Sequence, residues 1–215
     1  MSFIKCRRVI LVCSFVLVGC SSGPDATFYA TPGHIVRSSN VSPFLKHAVV
    51  LDDMRNMPEV LSYAWKPIIS RGDFKKALSQ SLINLKMGLI DTALEPTAYR
   101  LQVSHKDFSA PFKFGPSKTV YAVFNYRLTD PVTGNVMFNE DIKSQFTAIQ
   151  PLMGDFGRVT HQVSGSESAV VPGSAAFRET YAFRKAVALN IRRGLYALSQ
   201  LWRGKHFIPS KAKQR

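Results

Sequence analysis

The stretch KTVYAVFNYRLT (118–129), followed by DPVTG (130–134) and NVMFNEDIKSQFTA (135–148), decides the fold. In the first run Val120, Ala122, Phe124, Tyr126 and Leu128 recur at every second position, which places all five on one face of an extended strand. The connection carries Pro131, suited to the second position of a turn, and Gly134, which takes positive φ without steric cost. The chain then returns with Val136, Phe138, Glu140, Ile142, Ser144, Phe146 and Ala148 at the same spacing. Two such runs joined by a short turn predict a long antiparallel hairpin with one buried face. Arg127 falls on the opposite face, within reach of an acid on the return strand; an exposed pair of that kind adds about 0–1 kcal/mol.

Elements on either side of the hairpin supply what its apolar face needs. Upstream, Tyr99 to Phe108 reads as a strand with Leu101 and Val103 inward, and HAVVL (47–51) as a short first strand. Between these two, Asp73 is placed to start a helix after an Arg71-Gly72 turn. Phe74, Ala77, Leu78, Ser81, Leu82, Leu85 and Leu89 share one of its sides, whereas Lys75, Lys76, Ser79, Gln80 and Lys86 face away. Residues 52–69, with Met54, Met57, Tyr63, Trp65 and two prolines, receive no assignment, and their aromatics are expected to pack on the core. Downstream, 150–174 loses all periodicity, with Gly154, Gly157, Gly165 and Gly173 among serines. It reads as a mobile loop, either disordered or a flap that orders on a partner through Phe156, Arg158 and His161. Ala175 to Trp202 is a second helix with Phe177, Tyr181, Val187, Ala188, Ile191, Leu195, Leu198 and Trp202 on a broad apolar face. The expected class is therefore α+β: an antiparallel sheet of about four strands, including the long hairpin, packed against two amphipathic helices.

Charge concentrates at the end of the chain. The sequence has 28 basic and 14 acidic residues, and from Arg178 onward ten are basic against the single acid Glu179. Arg178, Lys185, Arg192 and Arg203 recur at roughly seven-residue spacing, with Arg193 beside them, and would form a basic ridge opposite the apolar face. Such a ridge would be attracted to an anionic surface within a Debye length, about 8 Å at physiological salt. Arg184 is the exception, since its angle falls inside the apolar face; its stem would lie along the core with the head reaching an acceptor or water. The tail, 204–215, adds Lys205, Lys211, Lys213 and Arg215 with little to bury.

The other end carries an address. Lys5, Arg7 and Arg8 precede an apolar run, Val9 to Val18, about half the length needed to cross a bilayer as a helix, so it reads as a secretion signal rather than a span. The run closes in Leu17-Val18-Gly19-Cys20, which resembles the lipobox of bacterial lipoproteins. That resemblance implies cleavage after residue 19, acylation of Cys20 and a mature chain held in a membrane by its lipid. Ser21 and Ser22, in place of an Asp directly after the cysteine, imply sorting to the outer membrane, facing the periplasm. Several acyl chains on one residue hold a protein firmly, since each buried methylene contributes about 0.8 kcal/mol. Residues 20–46, rich in Ser, Pro and Gly, read as a flexible tether, leaving 47–203 as the domain. With Cys6 and Cys13 in the removed segment and Cys20 acylated, the mature domain would have neither disulfide nor free thiol.

The sequence offers little for catalysis. His34, His47, His105, His161 and His206 stand singly, without an HExxH pair or a cysteine cluster, so no metal site is expected. GSESA (165–169) falls one residue short of a GxSxG nucleophile elbow and lacks the strand and helix that frame one. Glu140 and Asp141, being adjacent, point to opposite faces of a strand. No cofactor motif is present, and an extracytoplasmic address argues against nucleic acid as a partner. The order of elements resembles small Gram-negative envelope lipoproteins such as the LPS-assembly lipoprotein and those with a TolB amino-terminal-like domain, including activators of penicillin-binding proteins. No binding residues carry over from those families. The expected function is thus a non-catalytic lipoprotein that binds a protein partner of an envelope transport or assembly machine. An alternative is a module for anionic glycolipid or phospholipid that uses the basic helix.

Overall fold

The computed structural model describes residues 26–31, 41–54, 56–90, 92–111, 115–151, 159–161 and 166–201. Cys20 with the signal segment, Phe156, Arg158, Arg203 and the tail lie outside these residues, and His161 is placed by its backbone alone. In chain order the elements are α1 (Ala26–Tyr29), β1 (Val49–Leu51), β2 (Val60–Tyr63), β3 (Lys66–Ser70), α2 (Arg71–Asn84), β4 (Tyr99–Ser109), β5 (Ser117–Thr129), β6 (Val136–Ile149), β7 (Val159–His161), β8 (Ser166–Val170) and α3 (Ala175–Ser199).

The class is α+β, and the hairpin is its spine. β5 and β6 pair antiparallel from Ser117 opposite Ile149 to Leu128 opposite Phe138, with one irregularity at Thr129. Val120, Ala122, Phe124, Tyr126 and Leu128 are all fully buried, as the alternation requires, and Phe138, Ile142, Ser144, Phe146 and Ala148 are buried across from them. Val136 at the mouth of the turn is largely exposed instead, and Glu140 is only half-buried. In the turn, Asp130 accepts from the Val132 N–H and the Thr133 hydroxyl, and Gly134 has φ +70°. Arg127 lies opposite Asn139, not an acid. It is Asn125 that reaches an acid on the return strand, donating to Asp141 Oδ1 at 2.8 Å.

The sheet is larger than four strands and is mixed. Six strands run in the order β1-β4-β5-β6-β8-β7, with β1 parallel to β4 and β6 parallel to β8, and β2 and β3 form a separate two-stranded hairpin. Three of the pairings, β2 with β3 and β8 with both β6 and β7, fall where the sequence has no strand signal. The β2–β3 turn is Ala64-Trp65 with φ values of 45° and 65°, a left-handed pair without the Asn or Gly that normally marks it. β8 is SESAV, half-buried at all five positions, so it carries no alternation to read. The stretch expected to be a loop over 150–174 thus supplies both β7 and β8.

Two helices close the core, as expected, and a short third adds to them. α2 is capped three residues earlier than Asp73: Ser70 is the N-cap, its hydroxyl accepting from the Asp73 N–H at 3.0 Å and donating to the Asp73 carboxylate at 2.7 Å. Phe74, Ala77, Leu78, Ser81, Leu82 and Leu85 are buried on one face, and Phe74 stacks on Phe124 at 5.0 Å. α3 is capped by Ser174 and lies across β5 and β6. Asn190, fully buried at that crossing, donates to Ala122 O, Ile142 O and Ser144 Oγ, and Ser144 Oγ donates on to Ala186 O at 2.7 Å. Within the stretch read as a tether, residues 26–31 and 41–46 pack on the domain. Tyr29 is buried with its hydroxyl on Ile68 O, and Val41 and Leu45 join the same core. Two short apolar anchors in a Ser/Pro/Gly-rich background are too few to show a period.

Candidate functional site

The cations of α3 do not form an exposed ridge. Arg178, the first of them, is 6% exposed: its guanidinium donates to Gly173 O at 2.5 Å and Gln150 Oε1 at 3.2 Å, tying the entry of α3 to the end of β6. Lys185 places its ammonium 4.3 Å from the Phe28 ring centre and 5.6 Å from that of Tyr181. Burial holds the Lys185 pKa down, with Glu167 pulling it up and Arg192 pushing it down further. Arg192 forms an ion pair with Glu167 on β8. Arg193 is half-buried, and desolvation lowers its pKa. The seven-residue spacing is right and the solvation is not. α1 and β8, both unanticipated, cover the flank that the helix would otherwise expose. Arg184 lies part-buried, as its angle implies, with its Nε hydrogen-bonded to nothing among the described residues.

Two clefts follow from this arrangement, both lined in part by α1. The larger, about 610 Å³, runs along α2 and is lined by Ala26, Gly72, Lys75, Lys76, Ser79 and Ile83. It continues into a smaller cleft between α2 and the first strand that shares Lys75, Ser79 and Ile83 and adds Leu51 and Leu89. Ile83 is 58% exposed, and Ile90, next in sequence to Leu89, is 74% exposed. The surface of the groove is mostly carbon, supplied by Ile83 and Ala26 and by the stems of polar side chains that include Lys75, Lys76 and Gln80. The other cleft, of about 240 Å³, brings together Phe28, Thr31, Glu167, Lys185, Leu189 and Arg192.

Aromatic residues of 52–69 divide between core and solvent. Tyr63 packs on Phe183 at 4.4 Å between ring centres, whereas Trp65, expected in the core, is 97% exposed at the tip of the β2–β3 hairpin. Lys66 beside it pairs with Glu179 on α3 at 2.7 Å and fixes the hairpin to the helix.

For catalysis, Ser166 opens an extended strand paired with β6, not a strand-to-helix elbow. Asp141 is exposed while its neighbour Glu140 is half-buried. Among the described residues no three His, Cys, Asp or Glu side chains converge as a metal site. Nor is any described helix long and apolar enough to cross a membrane. His105 lies against Phe108 and Phe124, its Nε2 buried and without a hydrogen-bond partner among the described residues, and burial lowers its pKa.

No protein-family model and no curated protein sequence matches the chain. Its fold is similar to that of a candidate lipoprotein from Caulobacter crescentus, at 14% identity, a TM-score of 0.40 and coverage of 79% of this chain and 96% of that one. It is also similar to a Xanthomonas campestris protein of family DUF330, at 7% identity and a TM-score of 0.40 over 71% of this chain and 93% of the other. A Chlamydia trachomatis protein of no stated function is similar at 12% identity and a TM-score of 0.42, over 71% and 95%. Similarity of that degree leaves the functional argument to the residues of the chain itself.

Proposed function

We propose that this chain is an outer-membrane lipoprotein, anchored through acylated Cys20 and facing the periplasm, whose domain is a non-catalytic adaptor for a protein partner of an envelope transport or assembly machine. The anchor rests on the basic start, the short apolar run and the LVGC ending at Cys20. The adaptor role rests on the groove along α2, where the exposed Ile83 lies with Ala26 and the stems of the exposed Lys75 and Lys76 in a surface of mostly carbon atoms. Apolar anchors inside a positively charged rim fit a partner segment that is apolar on one side and acidic on the other.

The test places a photo-crosslinking residue at Ser79 in intact cells and maps the captured peptide. One envelope protein should be captured through an acidic, apolar segment, and Lys75→Glu with Lys76→Glu should abolish capture while leaving the domain folded, because both side chains are exposed. Capture of lipid alone, or capture indifferent to the charge reversal, would overturn the adaptor reading. For the anchor, Cys20→Ala should end incorporation of labelled palmitate; continued labelling would refute the lipobox.

A further inference from the structure

We propose that the cleft between α1, α3 and β8 is a binding site for a singly charged phosphodiester. This goes beyond the adaptor reading and stands or falls without it, since apart from Thr27 of α1 the two clefts share no lining residue. Three observations meet in the cleft. Lys185 is a half-buried ammonium held over two aromatic rings, with no carboxylate in ion-pair contact among the described residues. A cation so placed has lost part of its water and regains the loss by taking an anion. Thr31 is 2% exposed, and its Oγ1 has no hydrogen-bond partner among the described residues, although its own N–H and carbonyl are bonded to Ser81 and Asn84. A buried hydroxyl left over in this way calls for a polar group in the cleft.

The third observation is the charge balance. Lys185 and Arg192 set against Glu167 leave one positive charge, which matches the single charge of a phosphodiester; a phosphomonoester carries about −1.5 to −2 and would leave Glu167 repelling it. Leu189 and the Phe28 ring supply an apolar wall for the carbon skeleton of the ester. Phosphate oxygens would accept from Lys185 Nζ, and from the Thr31 hydroxyl once its side chain rotates toward the cleft, beside the Arg192–Glu167 pair. A phosphodiester of that size is either the headgroup of a phospholipid or a free glycerophosphodiester.

The full chain, purified in a neutral detergent, would be titrated with soluble glycerophosphoglycerol, and separately with phosphatidylcholine vesicles with and without phosphatidylglycerol. Saturable binding of the soluble ester is expected, weakened about tenfold or more by Lys185→Gln, weakened several-fold by Thr31→Val and retained by Lys185→Arg. Glu167→Gln should shift preference toward glycerol phosphate, because the cleft then carries two positive charges. Competition by phosphatidylglycerol vesicles identifies a lipid headgroup as the source; its absence identifies the free ester. No saturable binding of the soluble ester, binding unchanged by both Lys185→Gln and Thr31→Val, or vesicle binding alone would overturn the proposal. The last of these would be surface attraction without a cleft.

Discussion

Gly194→Ala tests the geometry on which α3 and everything mounted on it depend. A methyl group built at Gly194 lies 2.4 Å from Tyr126 Cζ and 2.6 and 2.7 Å from its two Cε atoms. Carbon atoms prefer roughly 3.5–4.0 Å, so the overlap is about 1 Å against three atoms of one ring. The ring cannot yield easily: Tyr126 is fully buried on β5, and its hydroxyl has no hydrogen-bond partner among the described residues. Overpacking of a dense core costs about 1–3 kcal/mol, and simultaneous overlap with three atoms sets this case near the upper end. Replacing Gly by Ala within a helix returns about 1 kcal/mol of propensity, leaving a net loss of about 2 kcal/mol. The decisive measurement is a double-mutant cycle by equilibrium urea unfolding. In a Tyr126→Leu background the ring is gone, so the same substitution should turn stabilising by up to about 1 kcal/mol, a coupling of about 3 kcal/mol. If Gly194→Ala stabilises the wild-type chain, or acts identically in both backgrounds, α3 does not approach the sheet as described.

Three further outcomes are expected. Asn190→Leu keeps the volume of the side chain but removes its donations to Ala122 O, Ile142 O and Ser144 Oγ, and should cost about 1–3 kcal/mol in the same unfolding assay; an unchanged midpoint would mean that the sheet alone satisfies those carbonyls. His105 has its pKa lowered by burial, so the folded state binds its proton less readily than the unfolded chain does. The stability contributed by neutral His105 should therefore be complete above about pH 6.5 and decline as pH falls toward the folded value, and His105→Leu should flatten the pH profile of urea unfolding in that window; parallel profiles would exclude His105 as the cause. Replacing Ala64-Trp65 by Asn-Gly puts residues that favour positive φ where φ is 45° and 65°, and should raise stability by about 1 kcal/mol; a fall in thermal midpoint would show that Trp65 packs on something despite its exposure.

What the sequence made legible of the fold is whatever a period can express. The β5–β6 hairpin and the buried face of α2 come from alternation at two and at 3.6 residues, and each inward position from Val120 to Leu128 is buried. Elements without a period were invisible. β8 takes its place through parallel pairing of Gln145 to Ile149 with Ser166 to Val170, a backbone interaction that its side chains do not advertise. The β2–β3 hairpin turns on Ala64 and Trp65, residues that oppose the turn they make, so turn chemistry pointed away from it. Ser70 rather than Asp73 caps α2 because both are able to cap, and only the helix register shows that Asp73 serves at the third position, facing back to Ser70.

The candidate site shows the same division more sharply. The spacing of Arg178, Lys185 and Arg192 identifies one side of a helix, but spacing fixes only a direction relative to the helix's own apolar face. Whether that side meets water depends on what else folds against it, and here α1 and β8 do so. Phe28 brings its ring under Lys185, and Glu167 arrives from a stretch that reads as loop to bind Arg192. The consequence reverses the expected chemistry. A solvated ridge would attract any anionic surface weakly, more strongly with more charge and less so as salt shortens the Debye length. Cations desolvated beside one acid and one orphaned hydroxyl discriminate by size and by charge number, because each partner left unmatched in a partly buried site costs more than it does in water. Selectivity for a single negative charge is therefore what separates the cleft from the ridge, and it is a property that salt dependence alone would not reveal.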